Sequence, residues 1–384
     1  MRPLEVGIMS APLIRCSMGE AMYKDGKILY KGQLFKELLF NCEQFTLYGV
    51  TIGVNFHWQR QQTQMFKGKL KIIVEGEMLS AVNVLDVEDY LASVISSEMS
   101  ANSHIELLKA HAIISRSWLL HPLFSAKKEE KNKTEEISDN RIIRIYERVA
   151  HKNFDVCADD HCQRYQGLAV QTSPNVGVAI DATRSKVLTY MGEICDTRFY
   201  KCCGGRTELF ETCWADEPHP YLESVTDDFC NTHDKQVLSQ VLNDYDLETN
   251  DFHDWKVVYS QEQLSDLVRQ KSGIDFGLIS ELLAQKRGAS GRIYELKIIG
   301  DKCSKIVGKE LEIRRWLSPS HLYSSNFEVK KSEDADGRYF TLIGHGWGHG
   351  VGLCQIGAAA MANQGYSYKE ILRYYFPKAE ITLL

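Results

Sequence analysis

Residues 86–120, DVEDYLASVISSEMSANSHIELLKAHAIISRSWLL, read as two helices hinged at a polar corner, and they constrain the fold more than any other stretch. Asp86 offers a cap with acidic residues behind it, and Val87, Tyr90, Leu91, Val94 and Ile95 recur at helical spacing. Glu98 continues that stripe, so its carboxyl leaves the face that meets the core. Partial desolvation there disfavours the charged form, which is what a general acid working near neutral pH requires. Position alone equally suits a surface glutamate closing a helix. Past the corner, Ser103 and Glu106 have capping-box spacing, and Leu107, Leu108, Ile114, Trp118 and Leu119 supply an apolar side. Arg116 sits well inside this second helix, where a basic residue pairs with a carboxylate, faces solvent or touches a ligand.

Two further stretches carry chemistry. His151, Cys157, His161 and Cys162 place four soft or borderline ligands within residues 150–163, matching the four-coordinate demand of a structural zinc; a local Cys157–Cys162 disulfide is the competing reading. Residues 344–355, GHGWGHGVGLCQ, alternate glycine with other residues and cannot sustain a helix. His345 and His349 therefore belong to a glycine-shaped loop, serving either as a tight structural turn or as a surface that a ligand can approach closely.

The run EDYLASVISSEM followed by IELLKAHAIISRSWLL resembles the core motif of the SpoIID/LytB family, in which a short helix ends in a Ser-Glu-Met corner. The resemblance implies that Glu98 is the catalytic residue. Many members have proline after the Glu-Met pair, where this chain has Ser100. Residues 201–206, KCCGGR, resemble the family's small-residue turn beside a glycan groove, with Cys202 and Cys203 standing where hydroxyls are common, ahead of Gly204 and Gly205. The glycine loop and the helix after it resemble the family's other hallmark. The loop from His151 to Cys162 is similar to a His/Cys zinc loop of some members.

The resemblance implies an α+β fold and a peptidoglycan lytic transglycosylase: Glu98 cleaves the MurNAc-GlcNAc backbone of peptide-stripped strands, leaving 1,6-anhydro-MurNAc ends. Its implied substrate contacts are Arg116, Cys202, Gly204, Gly205, His345, His349 and Gln355. A structural zinc at His151, Cys157, His161 and Cys162 and a cell-wall amidase as partner follow from the same source. A non-catalytic, glycan-binding amidase enhancer and a zinc-dependent wall hydrolase are the alternatives.

Net charge of −6, with no basic block free of neighbouring acids, excludes a nucleic-acid partner. No apolar run approaches the roughly 20 residues of a spanning helix. The first residues do not read as a signal peptide, so either the protein is cytoplasmic or its secretion signal has been removed; the family resemblance implies the extracytoplasmic location. The eleven cysteines are scattered apart from the 157/162 and 202/203 pairs, as small buried hydrophobes commonly are. Along the chain, residues 1–80 read as strands and turns, with a hairpin tip at Asp25 and Gly26. Residues 81–222 read as the catalytic core, 223–340 as an α/β subdomain, and 341–384 as the glycine loop and closing helices. The charged run from Lys127 to Glu136 reads as an exposed loop.

Overall fold

The alternating apolar residues of the first eighty positions form strands, and the i, i+3, i+4 stripe after Asp86 forms a helix. The computed structural model describes residues 2–53, 60–124, 135–146, 151–159, 162–168, 173–242 and 252–384. His161 and most of the charged run 127–136 lie outside the described residues. The fold is α+β, as expected. The chain divides into two units, Met1–Arg116 with Arg148–Lys186, and Ser117–Glu147 with Val187–Leu384. Residues 223–340 therefore share a unit with the glycine loop and the closing helices.

In the first unit, the strands Leu4–Ala11, Met78–Leu85, Lys69–Glu75 and Glu37–Phe40 lie side by side, with the two-residue strand Val156–Cys157 on the outer edge of the first. A six-stranded antiparallel sheet is built from the hairpins between Leu13 and Lys67. The turn at Asp25 and Gly26 pairs Lys24 with Lys27, both turn residues taking positive φ as a two-residue hairpin needs.

Helix α1 (Val87–Glu98) is capped by Asp86, whose carboxylate accepts from the Glu88 N–H. Tyr90, Leu91, Val94 and Ile95 are fully buried, so the stripe read from the sequence is the packed face. The helix ends at Met99, which returns to extended backbone with its side chain buried. Helix α2 (Ile105–Phe124) starts beside His104, whose Nδ1 accepts the Glu106 N–H. Helix α3 (Pro174–Ala182) begins where Ser173 caps it and Pro174 tolerates the first turn.

The second unit has its own core, which includes Trp255, Leu264, Phe276, Leu296, Ile298, Trp316 and Phe340. The antiparallel strands Asp254–Ser260, Gly337–His345 and Phe327–Asp334 form one sheet of this unit. The helix Gln261–Ser272 carries the capping box of Ser260 and Gln263. Residues 194–201, ICDTRFYK, alternate like a strand but do not form a single one. Only Glu193–Ile194 pairs back in the hairpin, and Phe199–Tyr200 instead runs parallel to Leu353–Cys354 at the end of the glycine loop.

Candidate functional site

Glu98 is half-buried at the last position of α1, where the buried stripe meets the surface. Its Oε1 accepts the backbone N–H of Arg164 at 2.9 Å. The segment that supplies this amide is fixed to α1 along its length. Ser93 Oγ donates to the Gly167 carbonyl at 2.8 Å, and the Tyr90 hydroxyl meets Gln163 Oε1 at 3.3 Å. Tyr165 stacks between Tyr90 and Phe66, with ring centres 5.2 and 5.8 Å away, and its hydroxyl reaches Asn83 Oδ1 at 2.6 Å. Burial raises the Tyr165 phenol far above its ordinary value, so it stays a neutral donor. The carboxyl is thus held by a rigid frame of aromatic packing.

The same segment leads out of the His/Cys loop. Donor atoms of His151, Cys157 and Cys162 all lie within 4.8 Å of one another, and His151 Nε2 is 3.3 Å from Cys162 Sγ. The loop is docked by parallel pairing of Val156 and Cys157 with Val6 and Gly7, and Tyr165 N–H closes back onto the Ala158 carbonyl at 3.0 Å. Cys157 and Cys162 are free thiols. A pocket of ≈ 380 Å³ opens beside this loop, with His151, Cys157, Asp159, Arg164 and Gln166 among its walls.

Arg116 requires a correction. It is fully buried, and its guanidinium is committed inside the first unit: Nε donates to Glu88 Oε1 at 3.0 Å and Nη1 to the Lys186 carbonyl at 2.9 Å. Such a residue joins α2 to α1 and has no donor edge turned to a sugar.

The expected contacts of the second unit divide. Cys202 and Gln355 are buried, which removes them from any ligand surface. Gly204 takes φ +75°, and a Cβ there would meet Gly346 N at 2.7 Å, so this glycine admits the protein's own backbone where a ligand contact was expected. Paired backbone bonds between Cys202 and Trp347, at 3.0 and 2.8 Å, lock the two segments together. Gly205 is half-buried in the same turn, with nothing closer to its Cβ position than His253 Nε2 at 3.9 Å.

His349 is largely enclosed, edge-on to Tyr200 at 5.3 Å and to Trp214 at 4.9 Å. Its Nδ1 accepts the Val351 N–H at 3.0 Å, and the ring also hydrogen-bonds the Phe199 backbone. Burial, and then the nearby Arg198, Arg314 and Arg292, hold it well below the usual histidine value, and its hydrogen bonds commit the ring to the protein's own backbone where a glycan contact was expected. His345 alone of the two histidines faces solvent. Its Nδ1 lies 2.6 Å from Asp254 Oδ1, while His253 Nδ1 lies 2.8 Å from Oδ2 of the same carboxylate. Partial desolvation opposes ionisation of Asp254, but hydrogen bonds and charge from His253, then from His345, outweigh it and keep this carboxyl below its ordinary value.

Sequence reading missed the two residues that shape the glycine loop. Arg292 is fully buried and donates to the carbonyls of Gly348 and Cys203, with Gly350 leaving room for its guanidinium. Glu208 is equally buried and accepts from Leu209, Ala289 and Ser290. Neither stands in a pattern that separates it from surface charges. Close by, Cys203, Asp227, Cys230 and Cys354 bring four donor atoms within 4.8 Å of one another. Hydrogen bonds from Cys202, Cys203 and Cys354 pull the Cys230 thiol down towards thiolate, while burial pushes Cys203 and Cys354 up.

These features define an α+β protein with one oriented carboxyl at a helix end and loops rich in soft ligands. Residues 75–190 match the family described as stage II sporulation protein, and residues 208–352 match one described only as a domain of unknown function. The chain is 28% identical over 318 residues to an uncharacterized protein of Brachyspira hyodysenteriae, covering 82% of this chain and 72% of that one. It is 24% identical to stage II sporulation protein D of Bacillus subtilis, over 79% of this chain and 76% of the relative. With the amidase enhancer of Bacillus subtilis the identity is 25%, over 76% of this chain but only 40% of the relative. The match over residues 75–190 and these relatives support the resemblance to the SpoIID/LytB family read from the sequence.

Proposed function

We propose that this protein acts on the bacterial cell wall as a lytic transglycosylase, with Glu98 as its catalytic acid and base. The observation that carries this reading is the Glu98 carboxyl, half-buried at the end of α1 and oriented by the Arg164 amide. In the acid form Glu98 protonates the glycosidic oxygen between MurNAc and GlcNAc. As the carboxylate it then takes the proton of the sugar's 6-hydroxyl, which attacks C1 and closes the 1,6-anhydro ring. One carboxyl serves both steps, unlike the paired carboxylates of ordinary glycosidases. The Arg164 N–H orients the carboxyl, and a fixed position is what one group serving as both acid and base requires.

The donor set of His151, Cys157 and Cys162 fits a zinc ion, with His161 as the fourth ligand in sequence. Zinc there would cross-link the loop that ends in Arg164 and so hold the amide that orients Glu98; it would supply no chemistry to the bond broken. The kinship with an amidase enhancer supports an amidase as partner, and we infer glycan already stripped of peptide as the substrate, at an extracytoplasmic location. Among the described residues, no helix is long and apolar enough to cross a membrane.

The deciding experiment is mass analysis of products from purified glycan strands, with and without attached peptides. Anhydro-muramyl ends that appear with wild-type protein and disappear with Glu98→Gln are expected. Reducing ends would assign ordinary hydrolysis, and unchanged strands would assign a binding protein.

A further inference from the structure

A second cluster of soft ligands lies within the second unit. Cys203, Cys230 and Cys354 are buried from solvent together with Asp227, and one ligand atom from each lies within 4.8 Å of every other. Three sequence-distant segments converge here: the turn after Phe199–Tyr200, the loop 227–230, and the start of the helix Gln355–Asn363. Apolar packing alone gives no reason to bring three sulfurs and a carboxylate to one buried point.

Hydrogen-bond donors converge on two of the sulfurs, while Cys203 Sγ lies 3.2 Å from Asp227 Oδ2. The backbone N–H groups of Gly205 and Cys203 point at Cys230 Sγ and Cys354 Sγ, each at 3.3 Å. Cys354 caps its helix, where the Gly357 N–H and the positive end of the helix dipole favour a thiolate. His253 hydrogen-bonds Cys230 and is itself held through Nδ1 by Asp254. Asp227 is oriented on both oxygens: Oδ1 accepts the Phe229 and Cys230 amides, and Oδ2 takes the Tyr375 hydroxyl at 2.9 Å. Partners that fix a ligand's direction and raise its charge are the outer shell that metal sites need.

We propose that Cys203, Asp227, Cys230 and Cys354 bind one divalent ion of the zinc class in a closed, structural site. Zinc–thiolate bonds of about 2.3 Å put neighbouring sulfurs of a tetrahedral site about 3.8 Å apart, which suits this spacing. An iron–sulfur cluster would interpose inorganic sulfide and hold the cysteines further apart. Zinc supplies the positive charge that lets the sulfurs ionise together. It would also tie the Cys202-Cys203 turn to the end of the glycine loop, giving the His345 segment a base fixed by coordination. The competing chemistry is a Cys203–Cys230 disulfide, since those sulfurs are 3.2 Å apart.

The test is metal content and cobalt spectroscopy on the full chain, prepared anaerobically with Cys157→Ser so that the His151 loop contributes no zinc. About one zinc per chain is expected to remain. Replacing it with cobalt(II) should give the thiolate-to-cobalt charge-transfer bands of a tetrahedral, cysteine-rich site. Adding Cys230→Ser or Asp227→Asn should remove or weaken this binding, whereas Cys303→Ser should leave it intact. Should those variants misfold, the cobalt spectrum of the Cys157→Ser protein decides by itself. A Cys157→Ser protein that is folded yet takes neither zinc nor cobalt overturns the proposal, as does a Cys203–Cys230 disulfide found by mass mapping of freshly isolated protein. Loss of the His151 zinc reading alone would leave wild-type and Cys157→Ser proteins with equal metal.

Discussion

Oε1 of Glu98 accepts the backbone N–H of Arg164 at 2.9 Å, which joins the end of α1 to the segment leaving the His/Cys loop. The bond is to backbone, so the side chain of Arg164 plays no part in it. Orientation of the carboxyl depends on where the loop's main chain lies, and therefore on whatever holds that loop.

Glu98→Gln keeps an oxygen acceptor for the Arg164 N–H and should fold normally. It cannot carry the proton, so glycan cleavage should fall by at least about 100-fold, the lower range for loss of a general acid. Turnover assays beside a circular-dichroism melt check this, and near wild-type cleavage by a folded variant would remove Glu98 from the mechanism.

Arg116→Met should damage stability and leave glycan affinity unchanged in whatever protein still folds. Glu88 would lose its buried partner, and breaking such a pair costs about 3–5 kcal/mol. Denaturant unfolding measures the loss. Unchanged stability with weakened glycan binding would restore Arg116 to the substrate surface.

His349 is neutral in the folded protein because burial lowers its pKa, whereas the unfolded chain protonates it below about 6.5. Its contribution to stability is fully present above that value and is lost as pH falls below it towards the depressed folded pKa. His349→Asn keeps an acceptor for the Val351 N–H and removes the titration. Thermal unfolding of both proteins from neutral to acid pH should show the wild-type advantage shrinking as pH falls. A pH-independent difference would mean that the ring is not buried neutral.

Cys157→Ser should cost about one zinc per chain by elemental analysis, lower the melting temperature, and reduce cleavage indirectly by loosening the Arg164 backbone. Full zinc content in this variant, or a mapped Cys157–Cys162 disulfide in the wild type, would rule out the metal in that loop.

What the sequence determined by itself was local. The cap at Asp86, the buried stripe through Ile95 and the hairpin at Asp25 and Gly26 each depend on neighbours within a few residues, and each formed where the pattern put it. The α+β class was what the family resemblance implied, and the elements formed agree with it. Tertiary structure decided every question of partnership. Whether Arg116 meets a sugar or Glu88 depends on a residue 28 positions away, and His349 turned inward because Val351 and Phe199 satisfy its ring there. Arg292, Glu208 and the convergence of Cys203, Cys230 and Cys354 carry no periodic signal, since their partners lie dozens to more than a hundred residues apart along the chain. Hydrophobic period fixes which face of an element is buried, but the charge or sulfur that a buried polar group will meet is set only when distant segments pack together.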